Sequence, residues 1–172
     1  MADLECAGLT VSLDETLQVA VLRYFPPAGA FADAVREVTD AALPQPLEAV
    51  NAPGSQVMLA WRSPTETWCV TPSAARLAQL GARVAAMADG CMVDLTGGLK
   101  VLRLAGARIA DLLCRLGGTG GVPPPGGARR ARLADVPVLA LSVRAQETLL
   151  IVDRVYLPHL REWIRATLLD LL

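Results

Sequence analysis

The stretch QVAVLRYFPPAGAFADAVREVTDAALP, residues 18–44, carries the change of period on which the fold turns. Gln18–Phe25 is β-rich and runs into Pro26-Pro27, so it reads as a strand closed by a breaker. Phe31, Val35, Val38 and Ala42 then recur at helical spacing, with Asp33, Arg36, Glu37 and Asp40 on the other side. That is an amphipathic helix, stopped by Pro44 and Pro46. A loop through Asn51, Pro53 and Gly54 leads to two β-rich runs, Gln56–Arg62 and Thr67–Val70, joined by a Ser63-Pro64-Thr65 turn. They read as a hairpin. Thr71 is placed to cap a second helix with Pro72 at its first position, because a proline's missing N–H has no partner to lose there. Leu77, Leu80, Val84 and Met87 give this helix one apolar stripe, Gly90 ends it, and Cys91–Leu95 is a further strand. The order β-α-β-β-α-β is ferredoxin-like.

After Gly97-Gly98 the pattern begins again. Lys100–Leu104 is a strand, and Gly106 turns the chain into a helix carrying Ile109, Leu112, Leu113 and Leu116 on one face. On that helix Asp111 and Arg115 stand four apart, where they can pair. The run GGTGGVPPPGG, residues 117–127, is a loop. Arg129–Leu133, Val138–Val143 and Thr148–Val152 follow as strands, the last two as a hairpin. A closing helix starts near Pro158, with Leu160, Trp163, Ile164, Leu168 and Leu171 expected to face inward. The fold class is therefore α+β: two ferredoxin-like β-α-β units packed into one compact domain over residues 1–172, the first half about 10–96 and the second about 98–172.

Bulk composition narrows the function. In 172 residues, 53% hydrophobic and 19% charged, the chain has the means to build a core. A globular protein of this length buries roughly 70% of its unfolded surface. A formal net charge of −1 argues against nucleic acid or an acidic membrane as partner. Arg outnumbers Lys fifteen to one, which fits codon bias in a GC-rich genome. Met1–Glu5 lacks the basic start of a secretory leader, and no apolar run reaches the roughly eighteen residues of a membrane helix. Cys6, Cys69, Cys91 and Cys114 lie far apart and read as reduced thiols of a cytoplasmic protein.

The segments Phe31–Pro44, Trp61–Trp68, Val93–Thr96 and Arg103–Gly106 together resemble the gamma subunit family of heterotetrameric sarcosine oxidase. The run from Phe31 to Leu43-Pro44 is similar to a helix that ends in Leu-Pro in that family. Residues 61–68, Trp-Arg-Ser-Pro-Thr-Glu-Thr-Trp, look like its hairpin, commonly Gly-Pro-Asp-Glu-Trp. Here Ser63 stands for the Gly, Thr65 for the Asp, and Thr67 is inserted. Val93-Asp94-Leu95-Thr96 and Arg103-Leu104-Ala105-Gly106 are similar to its Val-Asp-Leu-Ser and Arg-Leu-Ser-Gly segments. From Arg132-Leu133 to Trp163 the pattern matches too, so the resemblance runs from about Gln18 to Leu172.

The resemblance implies a fold shared with the glycine cleavage aminomethyltransferase and YgfZ-type folate-binding proteins. It further implies a non-catalytic small subunit supporting oxidative demethylation of sarcosine to glycine. FAD, FMN, NAD and zinc would then reside in the alpha, beta and delta partner subunits, with no cofactor in this chain. The alternative is a stand-alone folate-binding one-carbon protein, for which the aminomethyltransferase tract around Asn-Asp-Val and the YgfZ-type Lys-Gly-Cys-Tyr segment are missing. An isolated chain could also form a homo-oligomer.

Residue by residue, self-contained chemistry finds little to stand on. His159 is the lone histidine and has no oriented nucleophile in sequence reach. Four scattered cysteines and one histidine lack zinc-ligand spacing. The Gly-rich loop follows a helix, contains three prolines and has no lysine, unlike a phosphate-binding loop. Glu66 reads as a solvated turn residue. Asp94, at a strand end, is the folate-site candidate under the alternative, against a plain turn-capping role. Trp61, Trp68 and the cluster Arg129, Arg130 and Arg132 are the candidates for a partner interface.

Overall fold

The computed structural model describes residues 3–6 and 8–170. Among them the chain runs β1 (Leu4–Cys6), β2 (Leu9–Asp14), β3 (Gln18–Tyr24), α1 (Ala30–Thr39), β4 (Ala49–Ala52), β5 (Val57–Ser63), β6 (Glu66–Thr71), α2 (Ala74–Val84) and β7 (Gly90–Asp94). It continues through β8 (Leu99–Gly106), α3 (Ile109–Gly117), β9 (Ala128–Leu133), β10 (Val136–Arg144), β11 (Glu147–Asp153) and α4 (Leu157–Leu169). The class is α+β, with two separate antiparallel sheets.

The chain divides into two compact units. One is Thr16–Thr96; the other joins the described residues up to Glu15 to those from Gly97 onward. The expected half boundary near residue 10 therefore moves to Thr16. Residues 9–14 form β2 and pair with β8, Val11 opposite Leu104 and Leu13 opposite Leu102.

In the Thr16–Thr96 unit the strand order is β4-β5-β6-β3-β7, which is the ferredoxin-like arrangement with β4 added at one edge. The helices cover one face. On α1, Phe31, Ala34, Val35 and Val38 are buried, and on α2, Leu77, Leu80 and Val84, all against Leu22, Leu59 and Cys69 of the sheet. Burying side chains of this size contributes roughly 1.5–3 kcal/mol each. Gly29, ahead of α1, offers no side-chain cap. Asp89 replaces it, its Oδ2 accepting the Phe31 N–H at 3.1 Å, where a carboxylate also suits the helix dipole. Ser73, not Thr71, caps α2: its Oγ accepts the Arg76 N–H at 3.2 Å. Thr71 ends β6 and accepts the Ser73 N–H instead, and Gly90 opens β7.

The other unit repeats the plan with one substitution. Its order is β1-β2-β8-β11-β10-β9, so β8, α3, β9, β10, β11 and α4 take the places of β3, α1, β4, β5, β6 and α2. The place of β7, which follows α2 in the chain, is taken by β2, which precedes everything else in the series. Leu102, Leu104, Val138 and Leu150 of the sheet meet Leu112, Leu113, Leu160 and Ile164 of the helices. Trp163 is 52% exposed and does not face inward. The Leu157, Leu160, Ile164 and Leu168 stripe sets the phase of α4, and Trp163 falls one position outside it. Leu171 lies outside the described residues. Asp111 pairs with Arg108 at 3.4 Å, not with Arg115. No helix among the described residues is long and apolar enough to cross a membrane.

Candidate functional site

The β5–β6 hairpin of the Thr16–Thr96 unit positions the densest polar cluster there. Ser63 pairs with Glu66 across the turn, and a register shift lies between Trp61 and Ser63. Strand alternation places Trp68 beside Glu66 and Arg62 on one face, while Trp61 shares the other face with Thr67. The two tryptophans are thus not brought together. Trp68 is 8% exposed, its indole N–H donates to Glu66 Oε1 at 2.9 Å, and the Arg62 guanidinium stacks 5.2 Å from its ring centre. Trp61 is half-buried.

Glu66 is the hub of this cluster. It is 9% exposed, not a solvated turn residue. Arg62 Nη1 reaches Oε1 at 2.9 Å, and Arg23 Nε lies 3.4 Å from Oε2. A carboxylate this buried needs such partners. The sequence signal was there in part: Arg62 and Trp68 flank Glu66 closely, but Arg23 arrives only through strand pairing.

Beside the hub is an open groove of about 480 Å³, lined in part by Arg23, Tyr24, Glu66, Asp89 and Cys91. The Tyr24 hydroxyl shares a 2.9 Å hydrogen bond with Thr67. Its pKa is raised above 10.0, chiefly by burial and further by the Glu66 charge, against the lowering effect of that bond. Beneath, burial pushes the Cys69 thiol up to about 12. A thiol held neutral in this way is inert.

The other unit has a matching hub. Glu147 opens β11 as Glu66 opens β6, and in both strands a threonine follows. Arg144 Nε lies 2.6 Å from its Oε2, and Arg103 bridges it to Asp14, whose Oδ2 accepts from Arg103 Nη2 at 2.7 Å. Sequence reading did not find this cluster, because its four members come from four strands, β2, β8, β10 and β11.

Asp94 is exposed at the end of β7, and its Oδ1 accepts the Thr96 N–H at 2.9 Å, a turn-capping bond. His159 is exposed on α4, near the Ala134 carbonyl and edge-on to Trp163. On β9, Arg130 and Arg132 are exposed and Arg129 is half-buried. Arg132 donates to the Asp135 carbonyl at 2.6 Å. Among the described residues no group of three or more His, Cys, Asp or Glu could hold a metal ion.

No family model and no curated protein sequence matches the chain. Solved structures do. The chain resembles one from the heterotetrameric sarcosine oxidase of Corynebacterium sp. U-96, solved in complex with pyrrole 2-carboxylate, with TM-score 0.85 and 22% identity, covering 96% of this chain and 88% of that one. It resembles the glycine cleavage system aminomethyltransferase T of Bartonella henselae with TM-score 0.65 and 11% identity, over 92% of this chain but 46% of the other. The regulatory subunit of aspartate kinase from Thermus thermophilus follows, with TM-score 0.51 and 11% identity, over 96% and 98%. At these identities the likenesses speak for the fold, and they place it with the paired α+β units expected from the sequence.

Proposed function

We propose that the chain is a non-catalytic subunit, of the gamma type, in a heterotetrameric sarcosine oxidase-type flavoenzyme of the cytoplasm. The observation that carries this reading is mutual coverage. The oxidase chain is matched over nearly its whole length, 88%, whereas only 46% of the aminomethyltransferase is. On this reading the complex converts sarcosine to glycine, FAD, FMN, NAD and zinc belong to the alpha, beta and delta partners, and this chain supplies surface. The buried acids favour it as well: Glu66 and Glu147 are each held by two arginines, an arrangement that fixes a hairpin.

The test is purification of the tagged chain from its native cell, followed by mass spectrometry, flavin absorbance and a peroxide assay with sarcosine. A flavoprotein should co-purify, and peroxide should form only with the complex. Turnover by the isolated chain, or recovery of the tagged chain without any flavoprotein, would overturn the reading. Titration with tetrahydrofolate addresses the one-carbon alternative, which the aminomethyltransferase likeness keeps in play. Saturable micromolar binding lost in Asp94→Asn would favour it.

A further inference from the structure

β9 is an edge strand, and its counterpart in the other unit supplies an internal control. β4 holds the same outer position in its sheet, next to β5 as β9 is next to β10. β4 reads Ala-Val-Asn-Ala and carries no charge, whereas β9 reads Ala-Arg-Arg-Ala-Arg-Leu. Charged side chains on an edge block self-pairing. The uncharged β4 shows that this fold does not require them at this position.

The three arginines are not equivalent. Arg132 holds Asp135. Among the described residues the side chains of Arg129 and Arg130 have no ion-pair or hydrogen-bond partner, in a protein whose formal net charge is −1. The backbone around them differs as well. Ser142 N–H donates to the Gly127 carbonyl and Val138 stands opposite Ala131, so the odd-numbered residues of β9 bond to β10. The N–H and C=O of Arg130 and Arg132 therefore point outward. At the far end that outer side is already met by α3: Ala134 N–H donates to the Leu116 carbonyl at 2.8 Å, and Gly117 lies against the Arg132 carbonyl. Gly121 approaches Ala131 and Leu133, but among the described residues nothing outside the sheet hydrogen-bonds the Arg130 backbone, so that end of the edge is open to pairing.

We infer that the open end of the β9 edge, with Arg129 and Arg130, is a docking site for an acidic, extended segment of a partner protein. A second copy of this chain is excluded as occupant, because like edges would set arginine against arginine. A small anion is a poor fit, since successive side chains leave a strand on opposite faces and one anion would not reach both guanidinium groups. A segment lying along the edge reaches both, pairs its backbone with Arg130, and matches the charge. That the partner is a flavoenzyme subunit rests on the function proposed above; the charge and shape of the segment do not.

The full chain is titrated with a short synthetic peptide of alternating glutamate and valine, and with its lysine counterpart, while amide exchange is followed by NMR. The glutamate peptide should bind saturably and more weakly as salt rises, with slowed exchange at the Arg130 amide. Arg129→Glu/Arg130→Glu should weaken binding by on the order of tenfold or more. Arg130→Glu alone, a change at an exposed side chain, serves if the double variant melts early. Equal binding of both peptides, no binding of either, protection elsewhere, or variants within about twofold of the parent would each overturn the inference. A flavoprotein that co-purifies unchanged with the double variant sinks the docking site and leaves the subunit reading standing. Peptide discrimination without any flavoprotein partner does the reverse.

Discussion

The two units fill equivalent places in their sheets with strands of different origin. In the Thr16–Thr96 unit, β7 follows α2 and lies beside β3. In the other, β2 arrives from ahead of β3 in the chain and lies beside β8. Matching β3 to β8 makes Val11 the counterpart of Met92, and Leu9 that of Gly90. Leu9 and Val11 are buried, while Gly90 and Met92 are only half-buried. β2, flanked by β1, thus contributes more to its core than β7, which is left at the edge of its sheet.

That difference can be broken directly. Val11→Asp places a charge among Leu102, Leu104 and their neighbours with no partner, and should abolish cooperative melting of its unit, a loss above about 4 kcal/mol. Met92→Asp, half-solvated, should lower stability by only about 2 kcal/mol. Thermal melts with amide exchange resolve the two units. Equal losses would mean that the closing strands are energetically alike.

Each closing pair also contains one glycine, on opposite sides. Tyr24 faces Gly90, whereas Gly106 faces Leu9. A Cβ at Gly106 would collide with the Gly8 carbonyl, and its φ of 137° is one that L side chains rarely adopt. A Cβ at Gly90 would press on the Phe31 ring and the Arg23 carbonyl, at ordinary backbone angles. Gly106→Ala should therefore cost about 3 kcal/mol and Gly90→Ala about 2 kcal/mol in urea unfolding. A Gly106→Ala loss below about 0.5 kcal/mol would refute the close approach at that pair.

These pairs mark what could be read in advance. Among the described residues the four α-helices and most of the strands were legible, because the 3.6- and 2-residue periods are local properties. β2 was not. Leu9, Val11 and Leu13 alternate correctly, but nothing near them names β8, ninety residues on, as their partner. β4 was missed for a related reason: Asn51 is a turn former, yet pairing with β5 overrides it, and the turn comes only at Pro53 and Gly54. Trp163 fitted an inward stripe by spacing to Leu160, and only the Ile164 and Leu168 contacts fix the phase that turns it out. The candidate-site residues were legible as types, not as partners. Glu66 looked exposed because Arg23 lies more than forty residues away in sequence.

The glutamate hubs sharpen the comparison at smaller scale. Removing Glu66 leaves the buried Trp68 indole N–H without its acceptor, whereas removing Glu147 leaves Arg103 still bound to Asp14. Glu66→Ala should lower stability by about 2 kcal/mol and Glu147→Ala by about 1 kcal/mol. Glu66→Gln, which keeps an acceptor, should recover part of the loss. Indole fluorescence in urea titrations follows both, and a Glu147→Ala effect larger than that of Glu66→Ala would reverse the assignment.

The smallest difference appears only in alkali. Cys69 on β6 and Leu150 on β11 occupy equivalent places, each directly after the Glu-Thr pair and one further residue. Burial raises the Cys69 thiol from 9.0 to about 12, so the unfolded chain releases this proton first as pH rises. Stability is therefore unaffected below about pH 9 and is lost progressively between 9 and about 12, by up to roughly 1.4 kcal/mol per unit of pH. Tyr24, also raised, pushes the same unit in the same direction. The unit built around Leu150 has no thiol at that place and should keep its midpoint. Urea midpoints per unit, measured at neutral pH and near pH 10 in the parent and in Cys69→Val, separate the two contributions. The variant should flatten the slope of the Thr16–Thr96 unit down to what Tyr24 leaves. A slope unchanged by Cys69→Val would mean that the thiol ionises as readily folded as unfolded, and would overturn the effect assigned to its burial.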